Sequence, residues 1–228
     1  FDGLVIHIDI QGVAWSDTGL VKASAGENWS NFVLESTKRG LCGIECLAGI
    51  PGTVGATPIQ NVGAYGQEVK DVIEKVVALR IDDKEVVEFS NLECEFQYRN
   101  SRFKDQAKDR GKFIVLEVWF SLKKSEYSRI ESSKIYPELE RSLQEDSNWE
   151  LVQSEPKRTP SFVSNKVLGL RSRKGMVLSK EDPDSISLGS FFMNPIVSTQ
   201  KLEDLKLRVK DLGISEAFPF FPSGQNQW

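Results

Sequence analysis

The chain has 228 residues, 39% of them hydrophobic and 27% charged, with a formal net charge of −4. This is an ordinary globular mix, long enough to bury a core, so disorder is not the default reading. The acidic balance argues against a nucleic-acid partner, and neither a basic amphipathic stretch nor an apolar run of bilayer length points to a membrane.

Taken in chain order, Leu4–Ile10 is rich in β-branched residues and partly alternating, which predicts a strand. His7 lies in that run and reads as a structural strand residue rather than a base. Gly26-Glu27-Asn28 opens a helix with Trp29, Phe32, Val33 and Ser36 on one face and Gly40 as its stop. The cysteines Cys42, Cys46 and Cys94 form no disulfide-like framework, which suits a reducing cytoplasm. With one histidine in the chain they lack the partners of a zinc site, so buried thiols are expected and no metal. Val72–Ile81 and Glu85–Phe89 read as a hairpin turning through Asp82-Asp83-Lys84. Lys104–Lys112 reads as a solvated loop and Phe113–Leu122 as a mostly buried strand. Tyr136–Leu143 reads as a short helix. A second begins at Thr159-Pro160, a capping side chain followed by proline at the first turn, and carries its apolar stripe on Phe162, Val163, Val167, Leu168 and Leu170. A last helix spans Thr199–Leu212 and stops at Gly213. Strands dominate the first half and helices the second, which predicts an α+β fold.

Between these elements lies a segment of another kind. Ile50–Gly66 carries no charge and sets glycines and prolines among small and apolar residues. Glycine lets main-chain N–H groups approach a flat or phosphorylated ligand without a Cβ in the way. The segment has neither the Lys-Ser/Thr ending of a P-loop nor a G-x-G-x-x-G spacing after a strand. By composition alone, a tight buried loop is the leading explanation. Two further blocks carry reactive side chains. Arg99 in Tyr98-Arg99-Asn100-Ser101 could hold a carboxylate or phosphate bidentately, although a surface ion pair is the commoner fate of such a residue. Ser190 in Gly189-Ser190-Phe191-Phe192 lacks the partners of an acyl-transfer triad, so any chemistry it has is of another kind, such as proton donation.

In this order, and together with Ala25-Gly26-Glu27-Asn28-Trp29, Arg173-Lys174-Gly175-Met176-Val177 and Met193-Asn194-Pro195, these blocks resemble the UDP-N-acetylenolpyruvoylglucosamine reductase (UDP-N-acetylmuramate dehydrogenase) family from about Leu4 to about Val197. The resemblance implies an FAD-binding fold of the vanillyl-alcohol oxidase type, with residues 1–176 as the middle FAD-binding domain and 177–228 as the opening of a substrate-binding domain. It implies a cytoplasmic enzyme of peptidoglycan precursor synthesis that uses FAD and NADPH to reduce the enolpyruvyl group of a sugar nucleotide, with no protein partner. Arg99 then matches the arginine that binds the enolpyruvyl carboxylate, and Ser190 the proton donor. Pro51, Gly52, Gly55, Ala56, Thr57, Ile59, Asn61, Gly63 and Ile114 match flavin-lining positions. Tyr136, Lys174 and Asn194 match substrate positions. Met193 stands where lysine or threonine is more familiar. The family's N-terminal diphosphate-gripping loop and its C-terminal catalytic glutamate have no counterpart here, which implies a fragment. Two other readings remain open: a related flavin oxidoreductase with another substrate, and an incomplete or degenerate flavin-domain protein without catalysis.

Overall fold

The structure is a computed structural model and describes residues 2–128, 130, 135–144, 151–152, 155–156, 158–186, 192–213 and 220. The chain divides into two compact units, Phe1–Ser187 and Leu188–Trp228.

The first unit is built on an antiparallel sheet. In chain order its elements are β1 (Val13–Trp15), β2 (Leu20–Ser24), α1 (Trp29–Lys38), β3 (Leu41–Cys42), β4 (Gly63–Ala64), β5 (Gln67–Glu68), β6 (Ile73–Arg80), β7 (Val86–Ser90), β8 (Phe113–Ser121), β9 (Lys123–Lys124), α2 (Pro137–Gln144), β10 (Leu151–Val152), β11 (Glu155–Pro156) and α3 (Pro160–Ser172). The main sheet runs β1-β2-β8-β6-β7, with β3–β9, β4–β5 and β10–β11 as separate two-stranded pairs. This is the α+β arrangement that the order of elements predicts.

Register explains which side chains face inward. Val21 stands opposite Phe120 and Val76 opposite Val118, and all four are fully buried. Against this face α1 lays Trp29, Phe32 and Val33, with Phe32 stacked 5.6 Å from Trp15 and 5.0 Å from Phe120. α1 begins where Asn28 Oδ1 accepts the Asn31 N–H at 2.9 Å, and the chain leaves it at Gly40 with φ +72°. α3 begins in the same way at Thr159, whose hydroxyl accepts the Phe162 N–H at 3.2 Å, and buries Val163, Val167 and Leu170.

One predicted element is absent. Leu4–Ile10 forms no strand, and Leu4, Val5, Ile6 and Ile10 are exposed. β-branched alternation suits a strand only if a partner supplies the ladder. Among the described residues the segment's main-chain link is the Ile10 carbonyl, which accepts the Gly26 N–H at 2.9 Å. His7 therefore lies outside any strand. Cys42, Cys46 and Cys94 are all buried, and none is in a disulfide among the described residues. Among the described residues no helix is long and apolar enough to cross a membrane.

The second unit contains α4 (Thr199–Asp211), capped by the Ser198 hydroxyl and followed by Gly213 at φ +68°. The aromatic run Phe218–Phe221 lies outside the described residues except for Phe220.

Candidate active site

The glycine-rich segment consists of two halves that are held by different means. The first half is stitched to the turn before α1 through main-chain atoms. Trp29 N–H donates to the Gly52 carbonyl at 3.1 Å, Val54 N–H to Glu27 at 2.9 Å and Gly55 N–H to Ala25 at 2.9 Å. A single helical turn at Val54–Ala56 follows, and both the N–H and the hydroxyl of Thr57 return to the Val54 carbonyl. A Cβ on Gly55 would lie 2.5 Å from the Ala25 Cβ, so this glycine is required by backbone packing. The N–H groups of Val54, Gly55, Ala56 and Thr57 already donate to protein carbonyls, and so does that of Val62. What this half offers a ligand is its exposed rim of Pro51, Gly52 and Ala56. Gly52 has φ +116°, and no atom lies within 4 Å of where its Cβ would stand.

The second half is held by side chains. Asn61 is fully buried with φ +47°, a left-handed backbone that asparagine tolerates. Its amide donates to the Gln97 carbonyl at 2.9 Å and to Glu68 Oε2 at 3.1 Å, while its Oδ1 accepts the Lys70 N–H at 3.1 Å. Ser101 Oγ donates to the Ile59 carbonyl at 2.7 Å. These bonds clamp the turn Gln97–Asn100, closed by paired main-chain bonds of 3.0 and 3.2 Å, onto the segment.

Arg99 sits at the tip of that turn with φ +51°, a left-handed conformation that favours glycine and strains an arginine by about 1 kcal/mol. Lys104 Nζ holds the Arg99 carbonyl at 2.9 Å. The guanidinium folds back so that Nη2 donates to the Gly63 carbonyl at 2.6 Å. A Cβ on Gly63 would lie 2.8 Å from Nη1, 2.8 Å from the Glu68 Cγ and 2.9 Å from the Gln67 carbonyl oxygen, so a bare glycine leaves room for the guanidinium beside the paired strand. Nη1 is buried without a hydrogen-bond partner among the described residues, and its nearest anion, Glu68 Oε1, stands at 3.6 Å. A strained residue presenting a buried, unsatisfied cationic N–H is where binding chemistry is expected.

Arg99 opens onto a cleft of about 270 Å³ lined by Gly63, Gly66, Glu68, Lys70, Tyr98 and Tyr136, among others. Three candidate residues from the sequence thus share one cavity: Gly63, Arg99 and Tyr136. Tyr65 meets Tyr136 edge-on at 6.0 Å. Burial pushes the Tyr65 phenol above its usual value, with Lys174 opposing that shift. Lys174 pairs with Glu138 at 2.5 Å and does not line the cleft. Nearby, burial lowers the Arg171 guanidinium, whose Nε has no hydrogen-bond partner among the described residues. Thr57 and Asn61 are buried, Ile59 is half-buried, and Ile114 is half-buried on β8 opposite Leu79; none of these four lines the cleft. Ser190 lies outside the described residues, and Asn194 belongs to the second unit, where it is exposed. Glu68 and Lys70 escaped the sequence reading. The signal was present, since they are the first charges after a long uncharged run.

The residues fit a bound flavin in two respects. The rim at Gly52 is open to close approach, and Arg99 Nη1 is a buried donor in want of an anionic oxygen. In agreement, residues 1–90 match the model of an FAD binding domain. Over all of its 228 residues the chain is 40% identical to the UDP-N-acetylenolpyruvoylglucosamine reductase of Streptomyces coelicolor and 41% identical to that of Streptomyces avermitilis, covering 56% and 59% of those proteins. Over 93% of the chain it is 38% identical to the Neisseria gonorrhoeae reductase, covering 58% of it. The chain thus resembles UDP-N-acetylenolpyruvoylglucosamine reductases over its whole length and spans somewhat over half the length of these curated relatives. A crystal structure of the reductase from Thermus caldophilus aligns with a TM-score of 0.48 at 22% identity, over 85% of this chain and 56% of that one. That score carries no argument, and the likeness rests on sequence.

Proposed function

We propose that the chain carries the flavin-facing and carboxylate-binding part of a cytoplasmic reductase that uses NADPH and FAD to convert UDP-N-acetylglucosamine enolpyruvate to UDP-N-acetylmuramate, a peptidoglycan precursor. The observation that carries this reading is Arg99, held on the Gly63 carbonyl and lining a cleft, with a buried Nη1 that has no hydrogen-bond acceptor among the described residues. The relatives' names support the substrate class.

The rim residues Pro51, Gly52 and Ala56, with Gly63, would hold the cofactor, within a flavin domain at 1–176 that precedes a substrate-binding portion at 177–228. Bound FAD supplies hydride chemistry, accepting from NADPH and delivering to the terminal enolpyruvyl carbon. Negative charge then develops on the neighbouring carbon and spreads into the carboxylate. Arg99 orients that carboxylate and offsets its charge, an effect strengthened where water is excluded. The Ser190 hydroxyl donates the proton that completes the C–H bond on that carbon. Tyr136, Lys174 and Asn194 hold the sugar-nucleotide portion.

The test is an absorbance spectrum after reconstitution with FAD, followed by NADPH oxidation with and without the enolpyruvyl sugar nucleotide. Flavin binding with substrate-dependent oxidation supports the reading. Oxidation indifferent to that substrate assigns the chain to another flavin oxidoreductase, and failure to take up flavin removes the proposal.

A further inference from the structure

Besides the Gly63 carbonyl, the Arg99 guanidinium meets the Tyr98 ring at 5.0 Å and one carboxylate that plays no part in the reading above. Glu68, on β5 and directly opposite Gly63 in the register, is a junction. Its Oε2 accepts the Asn61 amide at 3.1 Å and pairs with Lys70 Nζ at 2.5 Å, while Oε1 stands 3.6 Å from Arg99 Nη1. The carboxylate is thus hydrogen-bonded by a fully buried asparagine and cannot swing freely. It faces two cations that line the same cleft, Arg99 and Lys70. The Arg99 separation is too long for a hydrogen bond but short for a charge pair.

We propose that Glu68 is a positioning residue and resident counter-ion of the cleft: held by Asn61 and Lys70, it fixes the Arg99 guanidinium against Gly63 and lowers the cleft's affinity for an incoming carboxylate. This rests on Arg99 being the carboxylate-binding group. The physical argument has two parts. Without Glu68 the guanidinium keeps the Nη2 bond to the Gly63 carbonyl and its contact with the Tyr98 ring at 5.0 Å, and loses the charge that opposes rotation about that bond. With Glu68 in place, part of the cation's field is already neutralised, so a substrate carboxylate binds with less gain but at one defined position. A ligand carboxylate completes the vacant Nη1 bond, which Glu68 is too distant to make.

The experiment titrates phosphoenolpyruvate, which bears an enolpyruvyl carboxylate, against the protein while following the Arg99 side-chain N–H signals by NMR, with inorganic phosphate as a control for general anion attraction. Wild type, Glu68→Gln, Glu68→Asp, Arg99→Gln and the double variant Glu68→Gln/Arg99→Gln are compared. Glutamine keeps an oxygen for the Asn61 amide, so the local fold is preserved. Glu68→Gln is expected to bind phosphoenolpyruvate about two- to fivefold more tightly, the range for one partly exposed charge pair, and to broaden the free-state Arg99 signals. Glu68→Asp, which retains the charge, is expected to stay near the wild-type affinity. In the Arg99→Gln background the Glu68→Gln gain is expected to vanish. If that gain persists there, it acts through Lys70 and the proposal falls. If Glu68→Gln leaves affinity and signals unchanged while Arg99→Gln weakens binding, the proposal falls and the reading of Arg99 survives. If Arg99→Gln binds as wild type does, both fall.

Discussion

The two halves of the glycine-rich segment look alike on paper and do different work. Ile50–Thr57 is fastened by main-chain bonds to Ala25, Glu27 and Trp29, and its buried Gly55 is small because the neighbouring backbone passes against it. Asn61–Glu68 is fastened by side chains to the turn at Gln97–Ser101, and its Gly63 is small because a guanidinium, the Glu68 side chain and the Gln67 carbonyl all crowd the space. An uncharged glycine run thus serves a packing need at one end and a chemical one at the other. The first half sets where the rim lies, and the second sets where the cation points.

The largest expected effect separates these uses at the glycine level. Gly55→Ala places a methyl 2.5 Å from the Ala25 Cβ and 3.1 Å from its backbone, with both chains fixed by hydrogen bonds. The cost is about 3 kcal/mol in stability, as for an overpacked core site, read as a lower denaturant midpoint. An Ala variant as stable as wild type would mean that the first half yields readily and that the contrast with the second half is false.

Next in size is the clamp of the second half. Asn61→Ala removes the amide bonds to Gln97 and Glu68 and places alanine at a left-handed φ of +47°. A loss of about 2 kcal/mol is expected, from the hydrogen bonds of a buried side chain, including the one it accepts from the Lys70 N–H, plus backbone strain. Anion binding at Arg99 should weaken along with it. Gly55→Ala, by contrast, should leave anion affinity per folded molecule nearly unchanged. Measuring both quantities on both variants sharpens the comparison, because stability and binding should separate at Gly55 and move together at Asn61.

How much of this was legible beforehand follows from the range of the forces. Hairpin β6–β7, strand β8 and helices α1 to α4 could be read because apolar periodicity, caps and stop glycines are local. Leu4–Ile10 misled because a strand needs a ladder partner, which no local pattern supplies. The candidate site was readable as three blocks, but not their docking. Asn61 reaches Gln97 across 36 positions and Ser101 reaches Ile59 across 42. Nor does any residue pattern announce a left-handed arginine, since propensity argues for glycine at that place in the turn. Glu68 and Lys70 were passed over because charges just beyond a loop usually meet only water.

The smallest effect at neutral pH comes from the two buried thiols Cys46 and Cys94. Cys46 precedes the first half, and its N–H donates to Gln67 Oε1 at 2.8 Å. Cys94 lies under the Arg99 turn, where its carbonyl accepts the Arg102 N–H at 3.0 Å. Burial pushes the Cys94 thiol from 9.0 up to about 12, and burial with the Glu45 charge pushes Cys46 well above its ordinary value. A raised folded value means that folding favours the neutral thiol. That contribution is fully present below pH 9.0 and is lost as pH rises through about 12. Cys94→Ala costs stability near neutrality through lost packing, yet it also removes this alkaline liability. The gap in denaturant midpoint between wild type and Cys94→Ala should therefore narrow as pH climbs above 9.0, and the Cys46→Ala gap should narrow in the same direction. Parallel stability curves for Cys94→Ala would mean that the thiol beneath the Arg99 turn is already accessible to water. The second half would then be a loosely held surface loop, without the rigid support that its side-chain clamp implies.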